Sequence, residues 1–275
     1  MYQLTFAKAA SDYENYALPQ AKASCRLVER LLENIDTHAI CSLVDIGCGT
    51  AFATKLLLQM LNSAGAPYPD ECLLVDQEPR MLEVALHNLK GFNKLDPQCV
   101  LVDAFDCRWM PSFARGDQSL GRRLLISSYL LQWSIDPLNI LLCSWHKLLA
   151  KGDVLAISFP DSRSFNWLRT AISIVGLDDR NLKLFDSDVI LGAAAFQRLS
   201  KCYEIISWGQ DDDSIPIKQP SEYLKHFSRI GSTSAVQRYS LKEVRCILQG
   251  IYQLAEDGYP CRLDYYSTWI LLRRY

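Results

Sequence analysis

The sequence predicts an α/β protein built on a mostly parallel, doubly wound sheet, and three observations carry that expectation. From residue 41 onward, short apolar runs alternate with helical stretches, the order that produces a parallel sheet covered by helices. A glycine turn, VDIGCGTAFA from Val44 to Ala53, follows the first of these runs directly and opens a helix. Acidic residues stand at the ends of the first three runs, at Asp45, Asp76 and Asp103. That puts them at the carboxyl edge of the sheet, where folds of this kind bind their ligands.

Taken in order, an N-terminal segment leads into a helix over residues 20–35, where Leu27, Val28, Leu31, Leu32 and Ile35 recur at helical spacing. The strands expected are 41–46 (CSLVDI), 71–76 (ECLLVD), 98–103 (QCVLVD), 123–128 (RLLISS) and 153–159 (DVLAISF), and their unbroken apolarity suits burial on both faces. Between the last two, Leu138, Leu141, Leu142, Trp145, Leu148 and Leu149 form one helical stripe facing the sheet. Beyond the fifth strand, residues 160–200 read as two helices, 202–208 as a strand, and GQDDDSIP as an acidic loop. Residues 220–230 and 241–255 read as helices, and 263–274 as a closing strand. The expected organisation is a single domain over 1–275, with an N-terminal helical lid at 1–40 and a helical insertion at 160–200 and 210–260 that carries substrate and partner contacts.

Charge narrows the partners. The 275 residues hold 29 Lys+Arg against 31 Asp+Glu, a net charge of -2, so the whole-surface positive field of a nucleic-acid or anionic-membrane binder is missing. The longest apolar stretches break well before the ~20 residues a membrane span needs, and no basic, apolar, cleavable leader is visible at the N-terminus. The cytoplasm is the expected compartment. Ten cysteines lie scattered without a CxxC pair, so neither a zinc site nor a disulfide framework is expected; they read as small buried apolar residues. Among the histidines, His38, His87 and His146 carry no expected role.

The turn carries the chemistry. Gly47 and Gly49 allow a tight bend and bring backbone N–H groups close to a ligand, and a carboxylate at Asp76 can accept both hydroxyls of a ribose. A dinucleotide site would want a further glycine where this chain has Phe52. The set resembles the Rossmann-like class I S-adenosyl-L-methionine (SAM) methyltransferases, whose loop reads DxGCGxG; Ala51 stands where that pattern has glycine. The resemblance extends outward. FAKAASDYENYALPQ (Phe6 to Gln20), SSYLLQWSID (Ser127 to Asp136) with its Gln-Trp pair, YLKHFSRIGSTSA (Tyr223 to Ala235) and the final GYPCRLDYYSTWILLRR are similar to segments of the malonyl-[acyl-carrier protein] O-methyltransferases of biotin synthesis, the BioC family. Residues 160–220 match that family only in layout.

The resemblance implies SAM as methyl donor with no metal, and as acceptor a malonyl group on the phosphopantetheine of acyl carrier protein, methylated on its free carboxylate. A carboxylate is ionised at neutral pH, so no general base is needed. The SAM-binding set expected is Gln20, Asp45, Gly47, Cys48, Gly49, Asp76, Gln77, Met81, Asp103, Ala104 and Ser127, with Cys48 a small filler rather than a nucleophile. Tyr13 and Gln20 would close over SAM, with Gln132 and Trp133 facing the reaction crevice. A planar charged fork matches two carboxylate oxygens, which makes Arg163 and Arg169 candidate clamps, with Tyr13 beside them. Carrier proteins are acidic, so Lys218, Lys225, His226, Arg229 and Arg238 form a candidate docking patch. Two alternatives remain: a SAM methyltransferase acting on another small acid or acyl substrate, and a methyltransferase-fold hydroxylase or assembly factor.

Overall fold

The computed structural model describes residues 6–7, 9–114, 121–178, 185–230 and 239–275. A short helical turn, Tyr13–Tyr16, precedes α1 (Leu18–Asn34), which starts with Pro19 in its first turn; proline is tolerated there because that N–H has no intrahelical acceptor. Then follow β1 (Ile40–Ile46), α2 (Phe52–Ser63), β2 (Glu71–Asp76), α3 (Pro79–Leu89), β3 (Pro97–Leu101), β4 (Arg122–Ser128) and β5 (Val154–Pro160). After the sheet's parallel part come α4 (Asn166–Ile174), a short turn Asp188–Leu191, α5 (Ala193–Leu199), β6 (Tyr203–Asp212), α6 (Ser221–Arg229), α7 (Leu241–Glu256) and β7 (Tyr266–Arg274).

The seven strands lie in the order β3-β2-β1-β4-β5-β7-β6. The first five are parallel; β7 inserts antiparallel between β5 and β6, with Ala156 opposite Leu271 and Ile157 opposite Ile270. The order reverses between β1 and β4, so the switch point that opens a crevice beyond the strand ends falls beside the glycine turn.

Each sheet face has its own core. Leu27 and Leu31 of α1, Leu57 and Leu61 of α2 and Leu82 of α3 cover one face; Leu141, Trp145, Leu148, Leu199 and Tyr203 cover the other. A third cluster joins Trp167, Leu168, Tyr223, Phe227, Ile247 and Ile251 of α4, α6 and α7 into a cap. Helix α7 begins with a reciprocal cap between Ser240 and Glu243. It crosses α4 so closely that a Cβ on Gly250 would stand 2.6 Å from the Ala171 carbonyl.

Several expectations need correction. The stripe from Leu138 to Leu149 is buried as expected, except for the half-buried Leu142, but no single helix carries it: a wide turn over Ile140–Ser144 passes into a tight 3₁₀ turn over Trp145–Leu148. Strand β3 is mostly exposed, with Leu101 at 56%, as the edge of the sheet, with no further strand on its outer side among the described residues. The acidic stretch is not simply a loop. Strand β6 runs on to Asp212 against β7, and Ile215–Pro216 pairs with Arg262–Leu263, so the 210–260 insertion begins inside the sheet. Of the ten cysteines, all free, only Cys48 and Cys72 are buried, while Cys99, Cys107 and Cys143 are exposed.

Candidate active site

The turn after β1 sets the geometry. Gly47 (φ +69°) and Gly49 (φ +53°) are left-handed, and a Cβ on Gly47 would lie 2.6 Å from the Leu130 side chain. A Cβ on Gly49 would meet nothing within 4 Å, so backbone conformation and not crowding calls for glycine there. Ala51 is also left-handed, at φ +59°, and fully buried just ahead of α2. An L-residue costs about 1–2 kcal/mol in that conformation, which gives the physical reason for glycine in the pattern that Ala51 departs from.

The loop's donors are spent inside the protein. Gly47 and Cys48 N–H both donate to the Val75 carbonyl (2.8 and 3.0 Å), and Gly49 N–H donates to Asp76 Oδ2 (2.9 Å). This corrects the expectation that the turn aims N–H groups at a ligand. Asp76 Oδ1 accepts from Glu78 N–H at 2.9 Å; burial pushes its carboxyl up, against the pull of these N–H groups. Asp45 is buried on β1 and accepts from Thr54 Oγ1 at 2.7 Å. Burial raises it to about 7, opposed by that hydrogen bond.

Over the turn lies the N-terminal segment, and between them sits a cavity of about 70 Å³ lined by Tyr13, Glu14, Gln20, Ser24, Asp45, Gly47, Cys48, Gly49, Thr50, Ser128 and Tyr129 with Phe52 and three alanines. Its chemistry has one sign. Among the described residues Glu14 and Asp45 border it, no Lys or Arg does, and two buried oxygens on its wall, Gln20 Oε1 and Thr50 Oγ1, have no hydrogen-bond partner. Buried acceptors without donors are costly, and a cationic ligand bearing N–H and O–H groups would supply what they lack. The residues therefore fit SAM, a sulfonium with an ammonium and ribose hydroxyls, better than a pyrophosphate. Pre-formed ligand pockets hold ~300 Å³ or more, so the N-terminal segment must shift outward to admit a molecule of that size. It is tied at several points: Asn88 Nδ2 donates to both Glu14 Oε1 (2.7 Å) and the Thr50 carbonyl (2.9 Å), Ser24 and Ser128 share a hydrogen bond of 2.9 Å, and Arg26 pairs with Asp211 (2.7 Å) and the buried Asp213 (3.0 Å).

Of the residues expected from sequence, Tyr13, Gln20, Asp45, Gly47, Cys48 and Gly49 come together around this cavity. The Tyr13 hydroxyl is pushed up to about 12, first by burial and then by Asp76, and burial keeps the Cys48 thiol neutral by raising it well above its ordinary value. Others stand apart. Gln77 is exposed, Met81 is buried at the start of α3, and Asp103 caps its own turn through Phe105 N–H at 2.9 Å. The Ser127 hydroxyl donates inward to the Ile46 carbonyl (2.8 Å), and Ala104 is buried with its carbonyl 3.4 Å from Trp145 Nε1. Gln132 and Trp133 occupy a 3₁₀ turn after β4, outside the lining; Gln132 Nε2 donates to the Tyr129 carbonyl (2.7 Å), and Trp133 meets Phe6 edge to face.

The carboxylate clamps are also corrected. Arg163 turns its fork onto Asp161, Nε to Oδ1 at 2.9 Å and Nη2 to Oδ2 at 3.0 Å, and lies over the Tyr266 ring. Arg169 Nη2 donates to the Ser162 and Ser164 carbonyls. Both guanidiniums brace the loop after β5 instead of facing the cavity. His226 is buried, shares a 2.8 Å hydrogen bond with the Tyr265 hydroxyl, and is pushed down to about 4 by burial and by Arg229, so it leaves the docking patch. Lys218, Lys225 and Arg229 are exposed, with Arg229 over the Tyr16 ring; Arg238 lies outside the described residues.

Sequence reasoning missed Glu14, Ser24, Thr50, Ser128 and Tyr129 as lining residues. Ser24 had a signal: Ala17, Gln20, Ala21 and Ser24 continue the helical spacing of Leu27, Val28 and Leu31, so the face that packs the core also lines the cavity. Tyr129 had none. Among the described residues no group of three or more His, Cys, Asp or Glu is placed to hold a metal, and no helix is long and apolar enough to cross a membrane.

No protein-family model matches the chain. Curated relatives do. It is 23% identical over 201 residues to the malonyl-[acyl-carrier protein] O-methyltransferase of Bacillus cytotoxicus, covering 72% of this chain and 61% of that one. To the protein of that name from Neorickettsia risticii it is 21% identical over 250 residues, covering 89% and 86%. To that from Dechloromonas aromatica it is 30% identical over 183 residues, covering 66% and 59%. The matched region thus spans about three fifths of two of these relatives and most of the third. Among solved structures, loganic acid methyltransferase with SAH superposes at TM-score 0.55 and 13% identity, covering 97% of this chain and 96% of that one. The YcgJ protein of Bacillus subtilis superposes at 0.53 and 13%, covering 90% and 98%. The fold is that of the class I SAM-dependent methyltransferases, and within that class the chain is a relative of the malonyl-[acyl-carrier protein] O-methyltransferases.

Proposed function

We propose that the chain transfers the methyl group of SAM to the free carboxylate of a malonyl thioester on acyl carrier protein, giving the methyl ester at an early step of biotin synthesis. The observation that carries the SAM part is the cavity itself: acidic, rich in unpaired acceptors, and floored by a loop whose donors are already used. The carboxylate part rests on the relatives, since the six curated matches share one name.

When bound, SAM supplies an electrophilic methyl on a positive sulfur. The chain's own residues do the rest. Asp76 would accept the ribose hydroxyls, with Gly49 N–H fixing its second oxygen, and Gln20, Thr50 and ionised Asp45 would take up the donors of the amino acid portion. No general base enters, because the acceptor carboxylate is already ionised. Burial under the N-terminal segment removes water from that carboxylate and holds the reacting groups in line, which is where the rate arises. With Arg163 and Arg169 engaged elsewhere, the phenol of Tyr13, which lines the cavity, would donate to the acceptor's oxygens; no hydrogen bond among the described residues engages it. Exposed Lys218, Lys225 and Arg229 would meet the acidic carrier. The cytoplasm, where ten free cysteines stay reduced, is the compartment this reading implies.

The test is transfer from labelled SAM to malonyl-acyl carrier protein, with the product identified by mass as a base-labile methyl ester. Transfer to the carrier thioester but not to free malonate is expected. SAM binding without transfer to any carboxylate would move the assignment to another acceptor or to a hydroxylase or assembly role. A Lys225→Glu/Arg229→Glu variant should lose activity on the carrier substrate while keeping SAM affinity; unchanged activity would remove the docking patch.

A further inference from the structure

Two bulky residues at the carboxyl ends of neighbouring strands adopt left-handed backbone: Tyr129 after β4, at φ +56°, and Phe165 beyond β5, at φ +63°. For aromatic side chains this conformation is strained, and such strain persists only where the surroundings over-determine it. The surroundings of Tyr129 do so. Its N–H donates to the Ser158 carbonyl (2.8 Å), its hydroxyl shares a 2.6 Å hydrogen bond with Ser267 Oγ, and its ring centroid is 6.3 Å from that of Tyr265. Phe165 packs on the same Tyr265 ring at 4.7 Å. The result is a fixed aromatic wall where the cavity meets the cap cluster, with Tyr129 itself among the lining residues.

The same residue sets its polar neighbour. The Tyr129 carbonyl takes the Gln132 amide N–H, leaving Gln132 Oε1 buried with no partner among the described residues. The cavity thus has a rigid aromatic limit built from a strained residue, inside the Ser127–Asp136 segment that carries the Gln-Trp pair.

We propose that Tyr129 is a specificity-determining residue that limits how long an acyl acid can place its carboxylate beside the methyl group. The inference rests on the carboxyl-methylation reading above and deepens it. A malonyl end has one carbon between carboxylate and thioester; a glutaryl end has three, and the extra carbons must fold into the space that the Tyr129 ring holds. Removing the ring opens that space without touching the glycine turn or Asp76.

The experiment compares malonyl, succinyl and glutaryl thioesters of acyl carrier protein, in turnover with SAM and in equilibrium binding with S-adenosylhomocysteine present. In Tyr129→Ala the glutaryl-to-malonyl ratio of kcat/KM, and of affinity, should rise at least tenfold; Tyr129→Phe should keep the wild-type ratio. A ratio unchanged in Tyr129→Ala overturns the proposal. Tyr129→Gly, which accepts the left-handed backbone, serves as the second ring-deleted variant should alanine fold poorly, and the same ratio decides. If the wild-type protein binds SAM but none of the three acids, the carboxylate reading fails separately; the length limit then stands only if a ring-deleted variant gains glutaryl binding, and falls if it does not.

Discussion

The glycine turn and the cap beside the cavity are built by opposite means. Around the turn, β1, β2 and Asp76 are close in sequence, and backbone does most of the work: left-handed glycines, N–H groups turned inward to Val75 and Asp76, and one buried carboxylate. In the cap the pieces come from far apart. Tyr129 meets Ser267, Gln20 and His226 meet Tyr265, and Tyr223 donates to Asp264, which also accepts from Trp167 N–H at 2.9 Å. A site made by local backbone tolerates few substitutions and is easily read. One made by long-range side chains can change its acceptor without changing its fold.

The sharpest expected contrast is Gly47→Ala. It adds left-handed strain and drives a Cβ into Leu130, so urea unfolding should show a loss of about 3 kcal/mol, together with lost SAM binding. A variant of wild-type stability would mean the turn relaxes freely. Next, Asp76→Ala should weaken SAM binding by roughly 1.5–3 kcal/mol, the worth of hydrogen bonds to a charged group; calorimetry giving an unchanged Kd would remove its ribose role.

The matching change on the other side is Tyr223→Phe, which takes one donor from buried Asp264. Stability should fall by about 2 kcal/mol with SAM affinity intact. A parallel loss of SAM affinity would show that the two sides are coupled.

Asp45 gives a smaller effect, read in pH. Burial raises its carboxyl to about 7, so it is neutral below that pH and ionised above it, and a cation binds the ionised form better. SAM affinity should therefore rise toward neutrality, by at most roughly tenfold per pH unit, with proton release on binding. Without ligand the sign reverses: a raised carboxylate contributes stability at pH below its ordinary 3.8, and loses it as pH climbs through about 7. A flat affinity profile, and equal binding enthalpies in buffers of different ionisation heat, would exclude Asp45 from the cofactor site. Smallest is Ala51→Gly, which relieves left-handed strain at the cost of a more flexible unfolded chain; thermal melting should show a gain below about 1 kcal/mol.

Much of this was legible in the chain. The five parallel strands, the closing strand and the glycine turn follow from apolar runs, from the spacing of glycines and from acids at strand ends, because each is a local property of consecutive residues. The helical stripe from Leu138 to Leu149 shows the limit: periodicity located the buried face but not the switch from wide to tight turns that delivers it. The two arginines show another. Residue type made Arg163 and Arg169 candidate clamps, yet Asp161 and two loop carbonyls hold them, and nothing local distinguishes an engaged guanidinium from a free one.

By itself, then, the sequence determined the fold class, the place of the glycine turn and the acids beside it, since hydrophobic periodicity and backbone permissiveness act over a few residues. Only the tertiary structure decided that the turn's donors face inward and that His226 is buried and neutral. It alone set Tyr129, strained and pinned by Ser158 and Ser267, in the wall of the cavity. Those outcomes depend on which distant atoms share a hydrogen bond or exclude water, and contacts across the sheet are fixed by packing, not by neighbours in the chain.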